Sequence, residues 1–328
     1  VKRIREDGKG KRYDCVIGLS GGVDSTFLAY KVKSLGLRPV AVHLDNGWDT
    51  EIAVKNIQNA VARLEIDLIT HVLDWEEFRD LQTAFLRAST PDSEIPSDHA
   101  ITAVLAQTAA KVGARTIISG ANHRTESHLP LAWSSGHLDW LYIKTVHRQF
   151  GKVRLKTFPR LGFFRARDYM AGTARIDMLD YLDYAKSPAI ELIQRELGWQ
   201  NFSGKHHESI YTRFYQGYIL PTKFGYDKRK AHLSSLVCSG EMSRDAALHE
   251  LKSAPYAPEL QRADIDYVTK KLELTKSEFD AIMNQPPRSF WDFPSYARMA
   301  RSTAYRNTRR VYRAVARRNM KPVAPSAT

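Results

Sequence analysis

The stretch DCVIGLSGGVDSTFLAYK spans residues 14–31. Residues 14–20 form a short apolar run that predicts a buried strand. Thr26–Leu35 predicts a helix, with Gly36 as its stop. Small and polar residues lie at the junction: Ser20, Gly21, Gly22, Asp24 and Ser25. A Gly-rich turn entering a helix lets backbone N–H groups converge on an anion, and the helix N-terminus adds partial positive charge. Ser20 and Ser25 add hydroxyl donors. An anion-binding loop is the direct physical inference, with an ordinary glycine turn as its competitor. Asp24 tips the balance. A carboxylate beside a phosphate cradle is repulsive unless a cation lies between them, so Asp24 predicts Mg²⁺ shared with a polyphosphate. No Lys follows Gly22, which excludes a Walker A loop, and the spacing also excludes the dinucleotide fingerprint.

Outward from this loop, strands and helices alternate. Residues 38–45, 67–73 and 114–120 read as further strands. Asp49–Leu64, 74–89 (with Asp74 as N-cap) and Ser97–Val112 read as helices, and residues 92–96 as a loop. The alternation predicts an α/β fold, a doubly wound parallel sheet whose ligands bind beyond the strand C-termini. After about residue 150 the pattern changes. Residues 154–163 read as a connecting crossing and 175–184 as one more strand, and the rest is mainly helical. The expected organisation is a nucleotide-binding domain over 1–165, a smaller, mainly helical substrate or partner domain over 166–286, and a basic amphipathic tail over 287–328.

The chain has 328 residues, and no apolar run approaches the ~20 that cross a bilayer. It opens at Val1 without Met and without a secretory signal, which leaves room for an upstream segment and points to the cytoplasm. Cys15 and Cys238 form no metal spacing and read as two buried, reduced thiols. Neither sits in the turn of a glutaminase nucleophile, so any ammonia chemistry needs nitrogen from elsewhere. Net charge is +13, but residues 287–328 hold ten Lys and Arg against one acid. The excess is mostly a property of the tail. An amphipathic helix there suits an anionic membrane surface, a partner protein, nucleic acid, or simple packing on the body.

SGGVDS after a strand resembles the pyrophosphate loop of the ATP pyrophosphatase (PP-loop) superfamily, whose members cleave ATP to AMP and pyrophosphate. The resemblance implies ATP and Mg²⁺ as cofactors. It also implies that Ser20, Gly21, Gly22, Asp24 and Ser25 hold the pyrophosphate, with Asp24 on the metal. SGANHRTE (119–126) follows the fourth strand, as in NAD and asparagine synthetases, where a Gly closes the strand and a Glu shortly after binds Mg²⁺. Gly120 and Glu126 match those roles. The superfamily's adenosine site falls on the end of the second strand, at His43 and Leu44.

Longer stretches, HLDNGWDTEIAVKNI (43–57), residues 96–122, TESHLP with Trp133, RLKTFP (154–159) and residues 198–248, resemble the N-acetyl sugar amidotransferases of bacterial surface-polysaccharide (lipopolysaccharide, O-antigen) biosynthesis. The likeness covers roughly residues 12–285. It implies adenylylation of an acetamido oxygen on a nucleotide-linked N-acetyl sugar, followed by displacement of AMP by ammonia. It also implies a separate glutaminase with an ammonia-channel subunit, related to the imidazole-glycerol-phosphate synthase pair. Family members often begin with a Cys-rich segment, which is not seen here, so no zinc site is expected. Many also carry Cys before the His matching His99, where this chain has Asp98.

The remaining candidates follow from these stretches. Asp98, His99 and Asn122 fall to the substrate side. Lys205 and Glu208 in GKHHES orient phosphate or substrate, or else form a polar network at the domain join. Lys228 or Arg229 reaches the pyrophosphate, the alternative being a solvated basic face. Trp48 and Trp133 line a sugar pocket or pack in the core. A tRNA-modifying PP-loop enzyme, of lysidine or thiolation type, is the rival reading. Cysteine placement disfavours thiolation, and nucleic acid is an unlikely partner.

Overall fold

The computed structural model describes residues 1–126, 129–202, 208–255 and 257–301. Lys205 and most of the basic tail lie outside the described residues. Five strands form one parallel sheet: β1 (Cys15–Gly18), β2 (Pro39–Asp45), β3 (Asp67–Val72), β4 (Thr116–Ser119) and β5 (Ala174–Asp177). Their order is β3-β2-β1-β4-β5. Val16 pairs with Val40 on one side and with Ile117 on the other. The chain winds outward from β1 through β2 to β3, then returns to β4. The order therefore reverses between β1 and β4, and a crevice opens beyond the C-termini of these two strands.

The helices within the sheet region are α1 (Lys2–Asp7), α2 (Val23–Ser34), α3 (Glu51–Leu64), α4 (Trp75–Ala88), α5 (Ile95–Val112), α6 (His123–Glu126), α7 (Trp140–Phe150) and α8 (Phe163–Gly172). Beyond β5 come α9 (Lys186–Leu197), α10 (Ile210–Phe214), α11 (Lys228–Cys238), α12 (Arg244–Glu250), α13 (Pro258–Lys271), α14 (Lys276–Asn284) and α15 (Tyr296–Arg301). Among the described residues no helix is long and apolar enough to cross a membrane.

Side-chain alternation along the strands makes two cores. Cys15, Ile17, Ala41 and Ile118 face α2, α3 and α9 through Phe27, Leu28, Ile57 and Ile193. Val16, Val40, Val42 and Ile117 face α5 through Val104 and Ala109. Helices therefore cover both faces, as the uninterrupted apolar strands require. A third core joins α4 and α7 to α10, α13 and α14, with Phe78, Phe85, Tyr142, Phe214 and Phe279 buried in it.

Several boundaries differ from the sequence expectation. Helix α5 begins at Ile95, with Pro96 in its first turn, where proline's fixed φ suits a helix start. Only Ala174–Asp177 of the expected strand over 175–184 pairs in the sheet, and Met178–Tyr181 turns into a 3₁₀ helix. The sheet thus draws a strand from beyond residue 165. The predicted helix after Ser209 is α10 followed by a π-helix over Tyr215–Phe224 that contains Pro221. Pro221 has no N–H to give an α-helical bond, which favours the wider turn. Phe290 and Phe293 are buried in the third core, so the segment from 287 onward starts as part of the body. Cys15 is buried as expected, and burial pushes its thiol up to about 12. Cys238 is exposed, because α11 turns its last residue outward.

Candidate functional site

Beyond β1 and β4 lies a cleft of about 870 Å³. Its floor is the loop after β1. Gly21 there has φ +78°, and a Cβ on it would come 2.5 Å from the Ala53 carbonyl oxygen on α3. Only glycine fits both the dihedral and the space. The Gly21 carbonyl accepts from Trp199 Nε1–H at 2.8 Å and from Asn56 Nδ2–H at 3.3 Å. These two side chains, from α3 and from the loop after α9, clamp the turn. Ser20 N–H donates to Ser25 Oγ at 3.2 Å, Gly22 N–H reaches Ser20 Oγ at 3.4 Å, and the two hydroxyls lie 3.1 Å apart. The two hydroxyls and the N-terminus of α2 thus lie together on the cleft, where a helix end favours an anion.

Asp24 stands in the first turn of α2 and lines the cleft, and the Tyr184 hydroxyl donates to its Oδ1. Gly120, at the end of β4, also lines the cleft. A Cβ there would meet the Asp24 backbone at 3.1 Å, so glycine lets β4 close against the loop. Glu126 is the last residue of α6, four residues of helix after this turn, and its side chain lies outside the described set. Among the described residues no three His, Cys, Asp or Glu side chains gather as a metal site. Mg²⁺ held through a substrate polyphosphate needs only one or two protein carboxylates, because it keeps several waters. Asp24, beside a phosphate cradle, fits that requirement.

At the end of β2, His43 and Leu44 line the cleft. His43 Nδ1 contacts the Leu19 carbonyl at 3.1 Å, and Nε2 lies 3.2 Å from Asp49 Oδ2. Burial alone would lower the His43 pKa, but the Asp49 carboxylate and the Leu19 carbonyl raise it.

The opposite wall gathers charge. Glu94, Asp98 and Lys228 all line the cleft, and Lys228 Nζ lies 3.5 Å from Glu94 Oε2. Burial opposes the Lys228 charge, yet Glu94, Asp92 and Asp98 together raise its pKa. Glu208 comes near the loop from the other side, with Oε1 3.4 Å from where a Cβ on Gly22 would stand. Its carbonyl accepts from Thr50 N–H.

Four expected site residues have other roles. Arg229 binds Asp227 with its guanidinium and donates to the Ser253 carbonyl at 2.8 Å, so it caps and braces α11 away from the cleft. His99 is fully buried between the His137 carbonyl (2.7 Å from Nδ1) and Leu161 N–H (3.1 Å from Nε2), with its ring stacked near Trp140. Asn122 closes the α6 turn, accepting from Thr125 N–H at 3.0 Å. Trp133 stacks on Tyr226, 5.0 Å between centroids, against a separate cavity of about 210 Å³. Trp48 is fully buried and donates to Gln82. It forms the back of the cleft as part of the third core.

Other cleft residues escape a sequence reading. Arg175 and Lys186 line the cleft and add positive charge near the loop, while Tyr184 and Trp199 hold the loop from behind. Their one sequence signal is position: each lies in or shortly after β5 or α9.

Residues 208–308 match the family model described as LPS biosynthesis protein WbpG-like, C-terminal domain. A segment of 72 residues is 39% identical to the tRNA(Ile)-lysidine synthase of Chlamydia pneumoniae, and a 39% match recurs in Chlamydia trachomatis. These matches cover about a fifth of the chain and 22% of those relatives' length. The NH3-dependent NAD synthetase of Campylobacter jejuni aligns over 88% of this chain and 94% of its own, at 15% identity and a TM-score of 0.36. The NMN synthetase of Francisella tularensis aligns over 75% and 93%, at 14% identity and the same TM-score. The likeness to WbpG-like LPS biosynthesis proteins is thus carried by residues 208–308, just under a third of the chain.

Proposed function

We propose that this chain is an ATP-dependent amidotransferase acting on a nucleotide-linked N-acetyl sugar. The observation that carries the reading is the loop 20–25, built as an anion cradle with Asp24 beside it, opening into a cleft lined by Arg175, Lys186 and Lys228. An acetamido carbonyl is a poor electrophile because of amide resonance. Transfer of the AMP moiety to its oxygen creates an imidate with a good leaving group. A nitrogen nucleophile then forms the new C–N bond as the C–O bond to AMP breaks, which gives an acetamidino sugar.

In this reading Ser20, Gly22 and Ser25 hold the leaving pyrophosphate, and backbone at His43 and Leu44 receives the adenosine. Lys228, Arg175 and Lys186 neutralise phosphate charge, since such help acts by positioning and electrostatics. Asp24 and Glu126 would hold Mg²⁺, which supplies charge neutralisation on the phosphates. The WbpG-like match supports a role in polysaccharide sugar chemistry. In this reading nitrogen comes from a separate glutaminase and channel subunit, as the resemblance to the sugar amidotransferases implies; neither Cys15 nor Cys238 sits in a glutaminase turn, which agrees.

A second reading has its own observation: the 72-residue match to tRNA(Ile)-lysidine synthases favours an acceptor base in RNA. One experiment separates them. Purified protein receives ATP, Mg²⁺, ammonium and a panel of UDP-linked N-acetyl sugars, or tRNA instead. Sugar-dependent AMP with the mass change of replacing O by NH supports the sugar reading. AMP formed only with tRNA overturns it.

A further inference from the structure

One titratable cluster on the cleft wall is built from α5 and the loops before α5 and α7. Asp98 stands in the first turn of α5 and presents its carboxylate to the cleft, with the side chain 49% exposed. His137 Nε2 lies 3.3 Å from Asp98 Oδ2 and 3.4 Å from Asp92 Oδ2. The same nitrogen is 2.8 Å from Ser134 Oγ, whose hydroxyl donates to Asp92. Asp92 is buried and fixed by this pair. The backbone of His137 is anchored in turn by His99. An imidazole so held cannot swing away, and it orients the Asp98 carboxylate from behind.

We infer that Asp98 takes the proton released when the nitrogen nucleophile adds to the activated substrate carbon, with His137 as its positioning residue. This rests on the adenylylation reading and assigns a group to its second half. Ammonia enters as the neutral base and its lone pair forms the C–N bond. The adduct nitrogen then carries an extra proton, which passes to the Asp98 carboxylate. The C–O bond to AMP breaks with its electron pair on the phosphate oxygen.

The electrostatics suit the task. Partial burial, Asp92 and Glu94 raise the Asp98 carboxyl above the usual carboxylate range, and His137 and Lys228 pull it back; with the side chain 49% exposed, water limits that rise. Those four groups, from the loop before α5, the loop before α7 and α11, are the charges that face it. A general base works best with a pKa near the working pH. The His137 pKa is raised against burial by Asp92 and Asp98, which favour its charged form. Asp92 stays ionised beneath it, lowered by His137, Lys228 and Ser134 against its burial.

The test measures two half-reactions on the full chain with ATP, MgCl₂ and the UDP-linked N-acetyl sugar panel. Acceptor-dependent exchange of labelled pyrophosphate into ATP reports adenylylation, and amidine formation from ammonium chloride reports nitrogen transfer. For Asp98→Asn the ratio of transfer to exchange is expected to fall about 100-fold, the scale of a lost general base. With ammonium chloride adjusted at each pH to hold free ammonia constant, wild-type transfer should rise with pH through the raised Asp98 value, and that rise should flatten in the variant. Asp98→Glu should restore part of it, and His137→Gln should move the midpoint without removing the rise. An unchanged ratio and pH profile in Asp98→Asn overturns the inference, as does parallel loss of both half-reactions. Wild-type protein with no exchange on any sugar overturns the adenylylation reading itself, and the inference with it.

Discussion

Gly21 and Ala53 are packed so closely that a single methyl group would not fit between them. A Cβ on Gly21 would stand 2.5 Å from the Ala53 carbonyl oxygen, and φ at Gly21 is +78°. Helix α3 therefore sets the height of the loop, while Trp199 and Asn56 hold its carbonyl. Gly21→Ala must shift the loop or the helix. We expect it to lower ATP turnover at least about 100-fold, since misplacement on the order of 1 Å carries that cost. Steady-state AMP formation measures it, with circular dichroism as the check that the fold survives.

Lys228 and Arg229 are neighbours in sequence with different surroundings. Lys228 faces the cleft beside Glu94, whereas Arg229 is bound by Asp227 and the Ser253 carbonyl. Lys228→Met is expected to slow AMP formation by about 10²-fold or more, the scale of losing a positioned electrostatic stabiliser. Arg229→Met should keep turnover within a few-fold and lower Tm instead. The reverse pattern would return the pyrophosphate role to Arg229.

Glu77 explains how the crossing RLKTFP is held. Its carboxylate, buried on α4, accepts from the backbone N–H groups of Lys156, Thr157 and Phe158. Hydrogen bonds to a charged acceptor contribute about 1.5–3 kcal/mol each, and orphaned buried donors cost a similar amount. Glu77→Ala is therefore expected to cost about 3 kcal/mol or more in urea unfolding, and Glu77→Gln less. A loss below about 0.5 kcal/mol would contradict this anchor, as that is the range of ordinary surface changes.

His43 gives a pH signature. Its pKa in the folded chain is raised by Asp49 and the Leu19 carbonyl despite burial. A group raised on folding stabilises fully below its unfolded value, about 6.5, and that contribution fades as pH climbs through the raised one. Asp49→Asn should thus lower Tm more at about pH 5.5 than at about pH 8. Equal losses at both would show that the contact carries no charge term.

The alternation of strands and helices and the loop were legible because their signals are local. Apolar β-branched runs, helical spacing and the glycines of residues 20–25 all act within a few residues. Asp74 as the N-cap of α4 follows the same logic, and its side chain does accept from Glu77 N–H. The far wall was less legible. Lys228 and Asp98 were named, yet so were Arg229, His99 and Asn122, polar residues beside the right motifs. Asn122 is taken up by its own turn, Arg229 by the Asp227 carboxylate and the Ser253 carbonyl, and His99 by backbone groups of His137 and Leu161, and sequence spacing does not reveal which polar side chain is consumed in that way. Tyr184 and Trp199 touch the loop, and Arg175 and Lys186 line the cleft, only because β5 joins the sheet next to β4 and α9 packs on α2. That pairing is tertiary, and no local period encodes it.

The central claim is that the acceptor's own oxygen attacks ATP. Acetamido-labelled oxygen-18 sugar, ATP, Mg²⁺ and ammonium should yield AMP that carries the label, read by mass spectrometry. The label appearing in AMP at the rate of amidine formation is the predicted result. Unlabelled AMP with the label retained in the sugar would contradict the account.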